Sequence, residues 1–173
     1  AIRIPRECRG ICADAVDTLC GRQRFGCIIL GAPGSGKTTA LRDMIRLFSE
    51  RGYRVGVADE RGEISGDGEF DLGPCSDVIT GLSKAESAML LLRGMNPQII
   101  AMDEITQSAD ADAIRELCCC GVELLATAHA RNTDELRQRR VFAELLDTGA
   151  FKYALSIRGV GSARSYELEG LYV

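Results

Sequence analysis

Apolar positions in this chain fall into two alternating patterns. Short, mostly aliphatic stretches lie at 26–30, 54–59, 98–103 and 122–127, too short for helices and bounded by glycine or polar residues, which predicts buried strands. Between them, apolar residues recur every three or four positions, predicting helices over 9–20, 37–51, 84–95, 109–120 and 133–146. Gly52 and Gly121 close two of these helices and Pro97 follows a third. The tail predicts a hairpin, with strands over 152–157 and 164–172 joined through Gly159 and Gly161. Alternation of strand and helix implies an α/β fold with a mainly parallel sheet. Residues 60–77 break the rhythm with Gly62, Gly66, Gly68, Gly73 and Pro74 among acids. The expectation there is a long loop, and such loops are usually functional or mobile. No repeat, low-complexity segment or linker interrupts the 173 residues, so a single domain is expected. The chain opens on Ala1 rather than Met, and a fragment lacking an N-terminal domain is the expectation.

Between the first strand and the second helix stands Gly31-Ala32-Pro33-Gly34-Ser35-Gly36-Lys37-Thr38, followed by Thr39. It satisfies G-x-x-x-x-G-K-[ST] at every fixed position and has the strand–loop–helix context that the motif requires. Glycines let backbone N–H groups turn toward phosphate oxygens, and the helix start adds unpaired donors. Lys37 is placed to reach the β- and γ-phosphates, and Thr38 to hold Mg²⁺. ATP and Mg²⁺ are therefore the expected ligands.

A second signal is Ile99-Ile100-Ala101-Met102-Asp103-Glu104, an apolar strand ending in acids. Asp103 fits a Walker B ligand to Mg²⁺. Glu104, one residue beyond, can orient and polarise a water, which favours hydrolysis over transfer to a small-molecule acceptor. Thr127 and His129 end the next strand, at the carboxyl edge where open α/β sheets bind ligands. From that position one of them can sense the γ-phosphate. Asp59, Glu60 and Glu63 end another strand and admit two readings, as support for metal or water and as a solvated loop start. Arg93, late in a helix, is placed to contact phosphate or a neighbouring subunit, while a helix C-terminus also favours arginine for dipole reasons.

Composition narrows the classes. Hydrophobic residues make 46%, charged 27% and aromatic 5%, a globular balance with an aliphatic core. No apolar run approaches the ~20 residues that span a bilayer, and no signal peptide is visible. The net charge of −4 and the absence of an aromatic–basic stripe weigh against nucleic-acid binding. The Arg137-Gln138-Arg139-Arg140 cluster reads as a solvated helix face. Eight cysteines contain no C-x-x-C pair and fit no zinc spacing, so they read as small buried hydrophobes whose thiols stay free in a reducing compartment.

Three further segments carry a family likeness: Val57-Ala58-Asp59-Glu60-Arg61-Gly62-Glu63-Ile64, Leu91-Leu92-Arg93-Gly94-Met95-Asn96-Pro97-Gln98-Ile99-Ile100, and Leu125-Ala126-Thr127-Ala128-His129. With the glycine loop they resemble the ATPase domain of the stage III sporulation protein AA family, over nearly the whole chain. That family is similar to the ATPases of type II and type IV secretion and pilus assembly. The resemblance implies a RecA-like P-loop NTPase core with helices on both faces and strand order 5-1-4-3-2, the Thr127 strand lying between the P-loop and Walker B strands. It implies that Glu60 and Glu63 resemble an acidic box, Arg93 the arginine before Walker B, and His129 a histidine box. Asp103-Glu104-Ile105-Thr106-Gln107 departs from the Gly-Glu-Ile-Arg-Asp common in secretion ATPases and fits the sporulation branch better.

By the same resemblance the chain is expected to be an ATPase that powers a membrane-spanning assembly in endospore formation. It would form a homo-oligomer, a hexameric ring at full length. It would sit in the mother-cell cytoplasm and meet the membrane through partner proteins of the sporulation channel. A nucleic-acid motor or loader, a general secretion or pilus ATPase, a small-molecule kinase and a nucleotide-gated scaffold are the competing classes. The P-loop neighbourhood lacks an evident cis arginine finger, so Arg61 or Arg93 of an adjacent copy, or an arginine from an N-terminal part, is the expected donor of transition-state charge.

Overall fold

The computed structural model describes residues 8–159 and 163–171. Its strands are β1 (Cys27–Leu30), β2 (Val55–Asp59), β3 (Ser76–Thr80), β4 (Ile99–Met102), β5 (Glu123–Ala128), β6 (Tyr153–Arg158) and β7 (Ser165–Gly170). The helices are α1 (Ala13–Cys20), α2 (Lys37–Glu50), α3 (Lys84–Met95), α4 (Ser108–Cys119), α5 (Thr133–Arg137) and α6 (Arg140–Asp147). A 3₁₀ turn covers Gly66–Gly68.

The strands form one sheet in the order β3-β2-β4-β5-β1-β6-β7, parallel except for the final β6–β7 hairpin. β1, β2, β4 and β5 are buried throughout, as strands covered on both faces must be. Ile28, Leu30, Ile100, Leu124 and Ala126 join one apolar cluster with α3, α4 and α6. Ile29, Val57, Ile99, Ala101 and Leu125 face the other cluster, with α1 and α2. Alternate residues of each strand thus feed two cores.

The structure differs from expectation in detail. The expected order 5-1-4-3-2 is found as β6-β1-β5-β4-β2, with β7 of the expected hairpin at one edge, and the unexpected addition is β3 at the other. β3 begins inside the stretch expected to be loop. It is an edge strand with no buried residue, so it carries no apolar run to reveal it. The single helix expected over 133–146 is two helices, because Arg139 takes an extended backbone between them. In the hairpin connection, Gly161 lies outside the described residues, as does Tyr172.

Local chemistry fixes several boundaries. Ser83 caps α3 by accepting from Glu86 N, and Glu86 accepts in return from Ser83 N, both at 3.3 Å. Asn96 ends that helix in the left-handed region at φ 47°. Under β1, Glu123 accepts from Phe25 N at 2.8 Å and Gly26 N at 2.7 Å, and pairs with Arg24 at 2.9 Å. On α2, buried Asp43 accepts from Gly10 N at 2.8 Å and Cys12 N at 2.9 Å and pairs with Arg46 at 2.8 Å.

Candidate active site

β1 runs directly into the glycine loop, and β4 and β5 end beside it, so parallel pairing alone gathers three loops at one sheet edge. Gly34 and Gly36 take φ 74° and 100°, a region that costs other residues strain. At Gly31 an added Cβ would lie 2.3 Å from Ser35 Oγ and 3.2 Å from Ser35 Cβ, so the Ser35 side chain would have to shift. Gly36 is also the residue that opens α2, whose first N–H groups face the loop.

Lys37 is buried, and its ammonium curls back over this loop. It donates to Gly31 O at 3.0 Å and Ala32 O at 3.1 Å, and lies 2.8 Å from His129 Nδ1. Those three acceptors use all three ammonium protons. Burial pushes the Lys37 pKa down from its ordinary value, while the Asp103 and Glu104 carboxylates act in the opposite direction.

Beside it, Thr38 Oγ1 donates to Asp103 Oδ2 at 2.8 Å. Asp103 Oδ1 accepts from the Thr127 hydroxyl and, at 3.0 Å, from Glu104 N. Thr127 Oγ1 itself accepts from Glu104 N at 2.9 Å. Thr127 is fully buried and holds the Asp103–Glu104 peptide rather than reaching into the cleft. Glu104 adopts φ 33°, unusual for a residue with a side chain. The hydrogen bonds to its N–H hold that backbone and turn its carboxylate toward His129, with Oε1 3.1 Å from Nε2. The His129 ring therefore joins Lys37 on one nitrogen to Glu104 on the other.

A cleft next to this cluster is lined by Glu60, Arg61, Glu63, Lys84, Asp103 and Glu104. Glu60 sits 3.5 Å from Lys84, whose largely buried ammonium also lies 3.9 Å from Asp110. Asp59 has a different task. Buried, it accepts from Ile64 N, Ser65 N and Ser65 Oγ and shapes the loop after β2. Arg93 is not brought to the site. It is exposed at the end of α3, just before β4 begins, and so lies at the opposite edge of the sheet from Asp103.

Two residues at the site were not marked by sequence. Lys84 opens α3 after a serine cap, a position with no motif of its own. Arg164, just before β7, rests against the glycine loop: a Cβ on Gly36 would lie 3.3 Å from its Nη1. Its Nε is buried without a hydrogen-bond partner, as is Ser35 Oγ.

The family model described as sporulation stage III, protein AA matches residues 1–172. The chain belongs to that family. It is 32% identical over 182 residues to the stage III sporulation protein AA of Bacillus subtilis (strain 168), covering 98% of this chain and 59% of the relative. The ATPase DotB of Legionella pneumophila superimposes with a TM-score of 0.65 at 20% identity, covering 90% of this chain and 47% of that one. The pilus retraction motor PilT with bound ADP gives 0.65 at 21% identity, covering 91% and 50%. The architecture of this family member is that of a RecA-like P-loop ATPase, and it spans about half the length of those structures. Among the described residues no helix is long and apolar enough to cross a membrane.

Proposed function

We propose that this chain is the ATP-hydrolysing domain of a motor of the secretion-ATPase type, which powers a membrane-spanning assembly during endospore formation. The observation that carries this reading is the single hydrogen-bonded cluster linking Lys37, Thr38, Asp103, Glu104, Thr127 and His129 at the mouth of the glycine loop.

The residues present fit Mg-ATP. Gly31, Ala32, Pro33, Gly34, Ser35 and Gly36 form the phosphate cradle, with Thr38 and Thr39 at the helix start. A tight loop in which a Cβ at Gly31 would displace the Ser35 side chain, and a buried Ser35 hydroxyl without a partner, suit an anion with many acceptor oxygens. Thr38 and Asp103 already hold each other at 2.8 Å and would hold Mg²⁺, which supplies charge neutralisation between phosphates. Among the described residues no group of three or more metal-ligating side chains occurs, in keeping with an ion bound largely through phosphate and water.

Lys37 exchanges its carbonyl and imidazole acceptors for phosphate oxygens. Glu104 positions the attacking water and accepts its proton. His129 orients the Glu104 carboxylate and marks whether Lys37 is turned toward it. Glu60, with Lys84, lines the cleft through which that water is ordered. Arg93, distant within one chain, is available only to another copy. A homo-oligomeric ring, membrane-protein partners of the sporulation channel and a mother-cell location complete the reading.

Steady-state hydrolysis by the full-length protein tests it. Specific activity is expected to rise with protein concentration and with purified channel proteins, and to be indifferent to DNA. Strong stimulation by DNA alone would favour a nucleic-acid motor. No hydrolysis under any of these conditions, with binding intact, would leave a nucleotide-gated scaffold.

A further inference from the structure

Topology carries Arg164 to the phosphate edge. β6 lies parallel beside β1, with Leu30 opposite Ser156. Arg158, two residues further along β6, pairs with Ser165 of β7. The start of β7 therefore stands level with the loop that leaves β1, and Arg164 sits there. A Cβ on Gly36 would lie 3.3 Å from Nη1, 3.4 Å from Cζ and 3.8 Å from Nε, so the guanidinium lies along the Gly36 backbone.

This placement is electrostatically uncompensated. Gly36 opens α2, whose N-terminus carries the positive end of the helix dipole. A guanidinium is charged at every accessible pH and presents a planar fork of donors. Here Nε is buried without a partner, and the group makes no hydrogen bond or ion pair among the described residues. Arg158 on the same hairpin behaves as surface arginines do, pairing with Glu167 at 3.2 Å. Ser35 Oγ, in the same loop, is another buried donor left without a partner. Two orphaned donors and a helix N-terminus converge on one small volume, and an anion there would satisfy all three.

Resting on the nucleotide-binding reading above, we propose that Arg164 binds the α- and β-phosphates of the nucleotide held by its own chain's glycine loop. The loop segment it faces is the part that cradles those phosphates, whereas Lys37 extends to the β- and γ-phosphates. The hairpin thus supplies in cis a positive charge for the phosphates that do not react, distinct from the transition-state donor expected of a neighbouring copy or a preceding domain. ADP and ATP should depend on it equally, because both carry the groups it touches.

The test is equilibrium titration of Mg-ADP and Mg-ATP against wild type, Arg164→Ala, Arg164→Lys, Arg158→Ala and Lys37→Ala, each with an unfolding midpoint measured without nucleotide. Arg164→Ala is expected to weaken both nucleotides by about tenfold to a hundredfold, as for a lost charge-assisted hydrogen bond. Arg164→Lys should fall between, keeping charge but not the fork, and serves if the alanine variant unfolds. Arg158→Ala should match wild type. Equal affinities for wild type and both Arg164 variants would overturn this assignment and leave the site standing. Unchanged ADP affinity with a loss confined to turnover would also overturn it, placing the group at the γ-phosphate. Absence of binding by wild type, matched by Lys37→Ala, would overturn the nucleotide site itself and this inference with it.

Discussion

Lys37 and His129 are 92 positions apart in sequence, and Lys37 Nζ lies 2.8 Å from His129 Nδ1. The same ring reaches Glu104 from its other side, with Nε2 3.1 Å from Oε1. An ammonium has no lone pair, so a charged Lys37 requires Nδ1 as acceptor and leaves Nε2 to donate to the Glu104 carboxylate. Lysine, imidazole and glutamate thus stand in line, joined through the two nitrogens of one ring.

Lys37→Ala should weaken Mg-ATP binding by about 1.5–3 kcal/mol per lost charge-assisted contact. The variant also leaves the buried Gly31 carbonyl without its lysine donor, so its unfolding midpoint is measured alongside. Calorimetric titration of the folded variant checks this; affinity equal to wild type would remove Lys37 from the phosphate site.

Glu104→Gln should retain Mg-ATP binding and lose ~10²–10⁴-fold in hydrolysis, the usual size of a general-base contribution. Single-turnover hydrolysis beside a binding titration separates the two effects. Near-wild-type turnover would mean that another group activates water.

His129→Ala should reduce turnover more than affinity, since it frees the Glu104 carboxylate from its donor without removing any phosphate ligand. His129→Asn, which keeps a donor, should recover part of the loss. If both variants bind ATP poorly and recovery is absent, the ring acts through Lys37 instead.

Cys27 is completely buried, and burial pushes its thiol up to about 12 from 9.0; burial raises Cys12 as well. The folded protein therefore holds protons on these thiols that the unfolded chain releases above pH ~9. Stability should be indifferent to them below that pH and fall as pH rises from ~9 to ~12, by roughly 1.4 kcal/mol per unit for Cys27 alone. Urea midpoints at several alkaline pH values test the slope, which Cys27→Ala should reduce. Native alkylation at neutral pH should label exposed Cys119 and Cys120 and spare Cys12 and Cys27.

Asp43→Ala should cost about 3–5 kcal/mol of stability. It strands the buried Arg46 guanidinium beside only Glu50, and leaves Gly10 N and Cys12 N without their acceptor. Chemical denaturation measures this directly; a loss below ~1 kcal/mol would show that α1 is held by apolar contacts alone.

The glycine loop and the acidic end of β4 were legible because each is a contiguous segment whose spacing is itself the chemistry. Thr127 and His129 were legible as members of the site, from the rule that ligands gather at the carboxyl ends of strands. Their partners were not. Thr127 meets Asp103 and His129 meets Lys37 only after β5 has been inserted between β1 and β4. Arg164 gave no signal, because its place depends on β6 pairing with β1 and on the turn of the hairpin. β3 escaped notice for the opposite reason: an edge strand lying mostly in solvent needs no hydrophobic run. Arg93 shows the limit of position within a motif, since the helix that carries it runs away from the phosphate edge.

Glu123 stands at the far end of this arrangement, where it ties the foot of β1 to β5 through Phe25 N and Gly26 N. Four residues at ~3.3 Å each separate that tie from the glycine loop, a span of about 13 Å. It acts as a tuning peg for the strand above it. Remove it, and two buried N–H groups at the foot of β1 lose their acceptor, which destabilises the strand that leads into Gly31 and Lys37. A genetic screen for inactive alleles would therefore recover lesions at Glu123 among those of the phosphate edge, although no nucleotide ever comes near it.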